Sequence, residues 1–157
     1  MFTDFLSLAD LTTANILALL ELADLLKADL KAGKREHPLE GQTLAMIFEK
    51  PSLRTRVTFE TGISQLGGHG IMLETGHIRL GERESVPDVA RNLERWVDGI
   101  VARTFSHETV EQLAAYARIP VINALTDKLH PCQILADAQA LREHKGAFEN
   151  LKLTFVG

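Results

Sequence analysis

The sequence has almost no cysteine. One thiol, Cys132, in 157 residues excludes an internal disulfide and a zinc site built from several cysteines. Positive charge is not in excess either. Seventeen Lys and Arg against twenty-one Asp and Glu give a net charge of −4. That balance argues against a broadly basic nucleic-acid-binding surface, but it leaves room for a local basic pocket. No run of eighteen apolar residues is present, so no membrane span is expected. The start, Met1-Phe2-Thr3-Asp4, lacks a basic n-region, and Asp10 and Asn15 interrupt the apolar stretch behind it. These absences predict a cytoplasmic chain with neither a membrane nor a nucleic-acid partner. Of six histidines, only His130 has a cysteine close by, and no second pair stands at ligand spacing, so no metal site is expected. Several glycines occur between Gly62 and Gly70, but they follow a helical pattern, which is the wrong context for a dinucleotide or phosphate loop.

The composition that remains is globular: 45% hydrophobic and 24% charged. A chain of this length buries roughly 70% of its unfolded surface. Helical and strand patterns alternate along it. Apolar residues at helical spacing predict a helix over 13–32, with Leu17, Leu20 and Leu26 as core positions. Short, continuous apolar runs predict strands at 43–48, 70–74, 99–103 and 120–124, each buried on both faces. Helices are expected over 53–66, from a Ser85 and Asp88 capping box to about 97, over 107–117 behind Ser106, and over 130–144. A closing strand is expected at 151–156. Strands separated by helices imply right-handed crossovers and a parallel sheet. The expected fold is a three-layer α/β/α domain with a four-stranded parallel sheet flanked by helices.

Open parallel sheets bind ligands beyond the carboxyl ends of their strands. After the first strand comes Glu49-Lys50-Pro51-Ser52-Leu53-Arg54-Thr55-Arg56. After the third comes Arg103-Thr104, and after the fourth comes Thr126 to Gln133. Two of these segments run straight into a helix, whose free N–H groups and positive dipole end favour an anion. Ser52 and Thr55 add hydroxyls, and Arg54 and Arg103 can fork onto phosphate oxygens. His130 and Gln133 share one helix face. Singly, each residue has a plain structural reading. Ser52 is then an N-cap, Arg54 and Arg56 are solvated charges, Arg103 pairs with a structural Asp, and His130 is a first-turn histidine. Cys132 reads as a small buried residue rather than a nucleophile. What shifts the balance is that all three segments fall after strands. The arrangement suits a small phosphorylated or carboxylated molecule.

At these residues the sequence resembles the aspartate and ornithine carbamoyltransferase family. Phe48-Glu49-Lys50-Pro51-Ser52-Leu53-Arg54-Thr55-Arg56 is similar to its carbamoyl-phosphate signature, with Leu53 at a position usually held by Thr. His130-Pro131-Cys132-Gln133 is similar to its second signature, and the cysteine there leans toward the ornithine branch. The resemblance implies that Ser52, Leu53, Arg54 and Thr55 hold phosphate. Arg103, His130 and Gln133 would hold the carbamoyl group, with Arg54, Arg103 and His130 as the catalytic residues. The segment His77 to Ser85 is similar to a family loop that enters the neighbouring subunit's site, which would place Arg79 and Arg83 there. No cofactor is implied, and a homotrimer is. The implied reaction passes the carbamoyl group of carbamoyl phosphate to the side-chain amine of ornithine, giving citrulline and phosphate in arginine biosynthesis. An N-acylated ornithine or aspartate as acceptor, or a non-catalytic binding or assembly module, are the alternatives. Residues 1–150 would form the carbamoyl-phosphate domain. Residues 151–157 would be the first strand leading into an amino-acid-binding domain that this chain does not contain.

Overall fold

The computed structural model describes residues 4–74, 80–81, 83–154 and 156. Four strands form one sheet: β1 (Thr43–Phe48), β2 (His69–Glu74), β3 (Gly99–Arg103) and β4 (Val121–Leu125). Their order is β2-β1-β3-β4, and every pairing is parallel. Among the described residues five α-helices accompany them: α1 (Thr13–Lys31), α2 (Arg54–Gln65), α3 (Val86–Leu93), α4 (His107–Tyr116) and α5 (Pro131–Lys145). The expected α/β class and four-stranded parallel sheet are therefore present.

The two sheet faces follow from the period-two alternation of strand side chains. Ala45, Ile47, Ile100 and Ala102 point to one face and pack with Val89, Leu93, Val110 and Leu113 of α3 and α4. Met46, Val101 and Ala124 point to the other and pack with Ile63 and Phe59 of α2. The central strands β1 and β3 are thus covered on both sides, which is why they read as continuous apolar runs.

The strand order creates a switch point between β1 and β3. After β1 the chain crosses through α2 to β2 on one side. After β3 it crosses through α4 to β4 on the other. The two crossovers diverge, so a crevice opens above the carboxyl ends of β1 and β3. Phe48 and Arg103, the last residues of β1 and β3, are paired in register below it.

Some expectations need correcting. Leu17 is exposed, while Leu20 is buried and Leu26 half-buried. The reason is that α1 lies against α5 rather than flat on the sheet. Asp24 bonds both Arg142 and Gln139 of α5, and Lys27 bonds Glu143. The helix α3 stops at Leu93 rather than near Val97, because Arg95 to Val97 close a turn on Asn92 and Leu93. Residues 151–154 form no strand; they are exposed and have no ladder partner among the described residues. The outer side of β4 is instead lined by the start of the chain: Phe5 N–H donates to Val121 O, and Asn123 N–H donates to Phe5 O. At the end of α2, Gly67 has φ +86°, and a Cβ there would stand 2.6 Å from His37 Cβ. Glycine fits this position because it has neither the strain nor the collision.

Candidate functional site

Helix capping separates two kinds of helix in this fold. Thr12, Ser85 and Ser106 cap α1, α3 and α4, each accepting a hydrogen bond from a first-turn N–H. The helices that begin at the crevice, α2 and α5, have no side-chain cap. Leu53 and His130 hold those two cap positions. Ser52 is therefore not the N-cap of α2, although it lies immediately before it. The unsatisfied N–H groups of the first turns carry the positive end of the helix dipole.

Both helix starts open onto one cleft of about 730 Å³. Its lining includes Ser52, Leu53, Arg54, Thr55, Arg103, His130 and Gln133. The structure therefore gathers the seven residues expected to hold the ligand. The Leu53 side chain is 79% exposed, so this position offers backbone rather than a buried side chain. Arg56 is not in the lining and pairs with Glu60 one turn on, at 3.3 Å. Arg83 is exposed and does not line the cleft. Arg79 lies outside the described residues.

Two buried nitrogens in the cleft, Arg103 Nε and His130 Nδ1, have no hydrogen-bond partner among the described residues. Buried polar atoms are normally satisfied, so two unpaired nitrogens on residues that line one cleft make it a candidate site for a polar ligand. Arg103 Nη1 also reaches Thr55 Oγ1 at 3.4 Å, linking β3 to the start of α2. Burial lowers the Arg103 pKa below the usual arginine value. Burial also lowers the His130 pKa, and the Arg103 charge adds to this, while Asp137 opposes it. These surroundings favour the neutral imidazole, which has one N–H to donate. The cleft thus combines fixed positive charge, uncapped helix ends and a neutral donor.

Cys132 also borders the cleft, and its Sγ donates to Asn123 O at 3.4 Å. Burial pushes its pKa up to about 11. At pH 8 its thiolate fraction is roughly a hundredfold below that of a free cysteine. Alkylation of the native chain by iodoacetamide, followed by mass spectrometry, should slow by a similar factor and recover in urea. An alkylation rate equal to that of a free thiol would contradict this environment.

Two residues that bond to segments of the lining without lining the cleft themselves, Asn123 and Asp137, were not among the expected ones. Asn123, fully buried in β4, donates from Nδ2 to Leu6 O and accepts at Oδ1 from Leu125 N–H. Leu125 lines the cleft with φ 154°, at a register shift beside Arg103. Asp137 accepts a hydrogen bond from Gln133 Nε2 at 2.9 Å. The sequence held a signal for each. A lone Asn interrupts the apolar run Val121-Ile122-Asn123-Ala124, and an acid stands four residues after Gln133 on a helix.

The fold and cleft together define a phosphoanion-binding α/β domain with its site at a topological switch point. Residues 3–143 match the family model described as aspartate/ornithine carbamoyltransferase, carbamoyl-P binding domain. The chain belongs to this family, as its carbamoyl-phosphate-binding domain. It is 53% identical over 157 residues to the ornithine carbamoyltransferase of Pelobacter propionicus, covering 100% of this chain and 52% of that protein. The ornithine carbamoyltransferase structure from Pyrococcus furiosus superposes with a TM-score of 0.90 at 49% identity, covering 92% of this chain and 46% of that one. The Thermus thermophilus structure gives 0.89 at 48%, covering 96% and 52%. The chain spans about half the length of the relatives it matches. Among the described residues, no helix is long and apolar enough to cross a membrane.

Proposed function

We propose that this cleft binds carbamoyl phosphate and that the protein acts as an ornithine carbamoyltransferase. The orphaned Arg103 Nε and His130 Nδ1, beside two uncapped helix starts, are the observation that carries the reading. The phosphate sits at the start of α2, held by first-turn N–H groups, Ser52, Thr55, Arg54 and Arg103. The carbamoyl group lies toward α5, where His130 and Gln133 reach it.

The ornithine side-chain amine attacks the carbamoyl carbon. A C–N bond forms, and the carbonyl oxygen takes up negative charge. Thr55, Arg103 and His130 donate to that oxygen, and such donors are worth several kcal/mol when fixed in advance. The C–O bond to phosphate then breaks, phosphate leaves, and the nitrogen loses a proton. Holding both ends of carbamoyl phosphate supplies the orientation that this attack needs. Residues beyond the matched half supply the ornithine contacts, with residues 1–150 as the carbamoyl-phosphate unit. A homotrimer with Arg79 and Arg83 at a neighbour's cleft, a cytoplasmic location and a place in arginine biosynthesis complete the reading.

The test is calorimetric titration of the 157-residue chain with carbamoyl phosphate. Saturable heat that phosphonoacetate competes away is the expected result. No heat from either compound would remove the anion site. Citrulline production from ornithine by a full-length form carrying this half would establish the reaction, and its absence would leave a binding module.

A further inference from the structure

Gln133 borders the cleft, and its amide can present either of two opposite groups. The oxygen accepts hydrogen bonds and the nitrogen donates them. Which end faces a ligand therefore decides what the ligand must offer. In this structure Gln133 Nε2 donates to Asp137 Oδ1 at 2.9 Å, across one turn of α5. An ionised carboxylate only accepts, so it holds the nitrogen end and leaves Oε1 as the free end. A free Oε1 can satisfy a donor. It has nothing to offer a methyl group or a bare oxyanion. The Asp137 carboxylate also lies within electrostatic reach of the cleft, since it acts on His130.

We infer that Asp137 is a positioning residue that fixes the polarity of the Gln133 amide, so that the cleft selects an acyl phosphate bearing an N–H donor, a carbamoyl group, over one that lacks it. The inference rests on the function proposed above and deepens it. Two effects of Asp137 then oppose each other. Its negative charge repels every anion in the cleft alike, whereas its hold on Gln133 favours only the anion with the amino group. Removing the carboxylate separates them.

The experiment measures the affinities of the 157-residue chain for carbamoyl phosphate, acetyl phosphate and inorganic phosphate, in D137A, D137E, Q133L and the double variant Q133L/D137A. Asp137 is exposed and lies within a helix, where alanine is well tolerated. The expected result in D137A is unchanged or tighter binding of inorganic phosphate. The preference for carbamoyl over acetyl phosphate falls about tenfold, the scale of one oriented hydrogen bond. D137E keeps the carboxylate and keeps the preference. Q133L loses the preference to the same extent, and adding D137A to it lowers the preference no further, because the two residues act as one unit. A D137A chain with the original preference overturns the inference. So does a parallel weakening for all three anions, which is what a merely structural role would give. If the unaltered chain binds carbamoyl phosphate no better than inorganic phosphate, the proposed function and this inference fall together.

Discussion

Replacing Arg103 with leucine should weaken carbamoyl phosphate binding by about 10²–10³-fold, or about 3–4 kcal/mol, the range for removing one partner of a desolvated charge pair. Arg103 ends β3 at the switch point, and its Nε is buried with no partner among the described residues. Its hydrogen bond to Thr55 is long, at 3.4 Å. Burial already disfavours its charge in the folded chain, as the lowered pKa shows. Leucine removes that unfavourable burial while keeping most of the volume. Thermal stability of the unliganded chain should therefore hold or rise, while binding by calorimetry falls. A variant that lost stability and kept its affinity would show Arg103 to be structural.

The second large effect is expected on folding. Asn123→Leu should destabilise the chain by about 2–5 kcal/mol, since each part-buried group left unsatisfied costs about 1–3 kcal/mol. Asn123 is fully buried, and leucine is similar in size but offers neither hydrogen bond. The Leu6 carbonyl and the Leu125 N–H both lose their partner. The second loss is the more serious. Leu125 holds a φ of 154°, rare for a residue with a side chain, and its N–H bond to Asn123 helps to hold it there. A stability of 5–15 kcal/mol is ordinary for a domain, so the loss is a large fraction of the whole. Urea denaturation of the two chains would measure it. Equal midpoints would show that the bulged end of β4 is held by other contacts.

The strands were legible in the sequence because β1 and β3 are covered on both faces. Their residues had to be apolar throughout, and the observed bounds of both match the expected ones. The strand order was not legible. Alternating helices and strands are compatible with several parallel orders, and local pattern does not select β2-β1-β3-β4. Leu17 looked like core because helical spacing marks a face without saying what covers it. The candidate site was legible where a parallel sheet concentrates chemistry, at strand ends that run into helices. That logic picked out Ser52, Arg54, Thr55, Arg103, His130 and Gln133, which the fold brings to one cleft. It missed Asn123, whose role depends on a bulge, and Asp137, whose role depends on which way an amide turns. The sequence marks both, as a lone Asn in an apolar run and an acid one turn after Gln133, but what each does depends on three-dimensional pairing.

The strip of chain that lines the outer side of β4 also sets an order of events. The bond between Asn123 and Leu6 closes a separation of 117 residues. Sheet pairings between successive crossovers close far shorter loops, so they are the faster to form. On the ribosome the segment around Phe5 must wait for β4 before its sheet partner exists. At 5–20 residues per second that delay is on the order of ten seconds. During it, the segment from Asp4 to Leu6 is unpaired strand-forming chain, and β1, β2 and β3 must assemble without it. Closure of the seam between Phe5 and the fourth strand is then a late step in the birth of this domain, completed only shortly before α5 docks on α1.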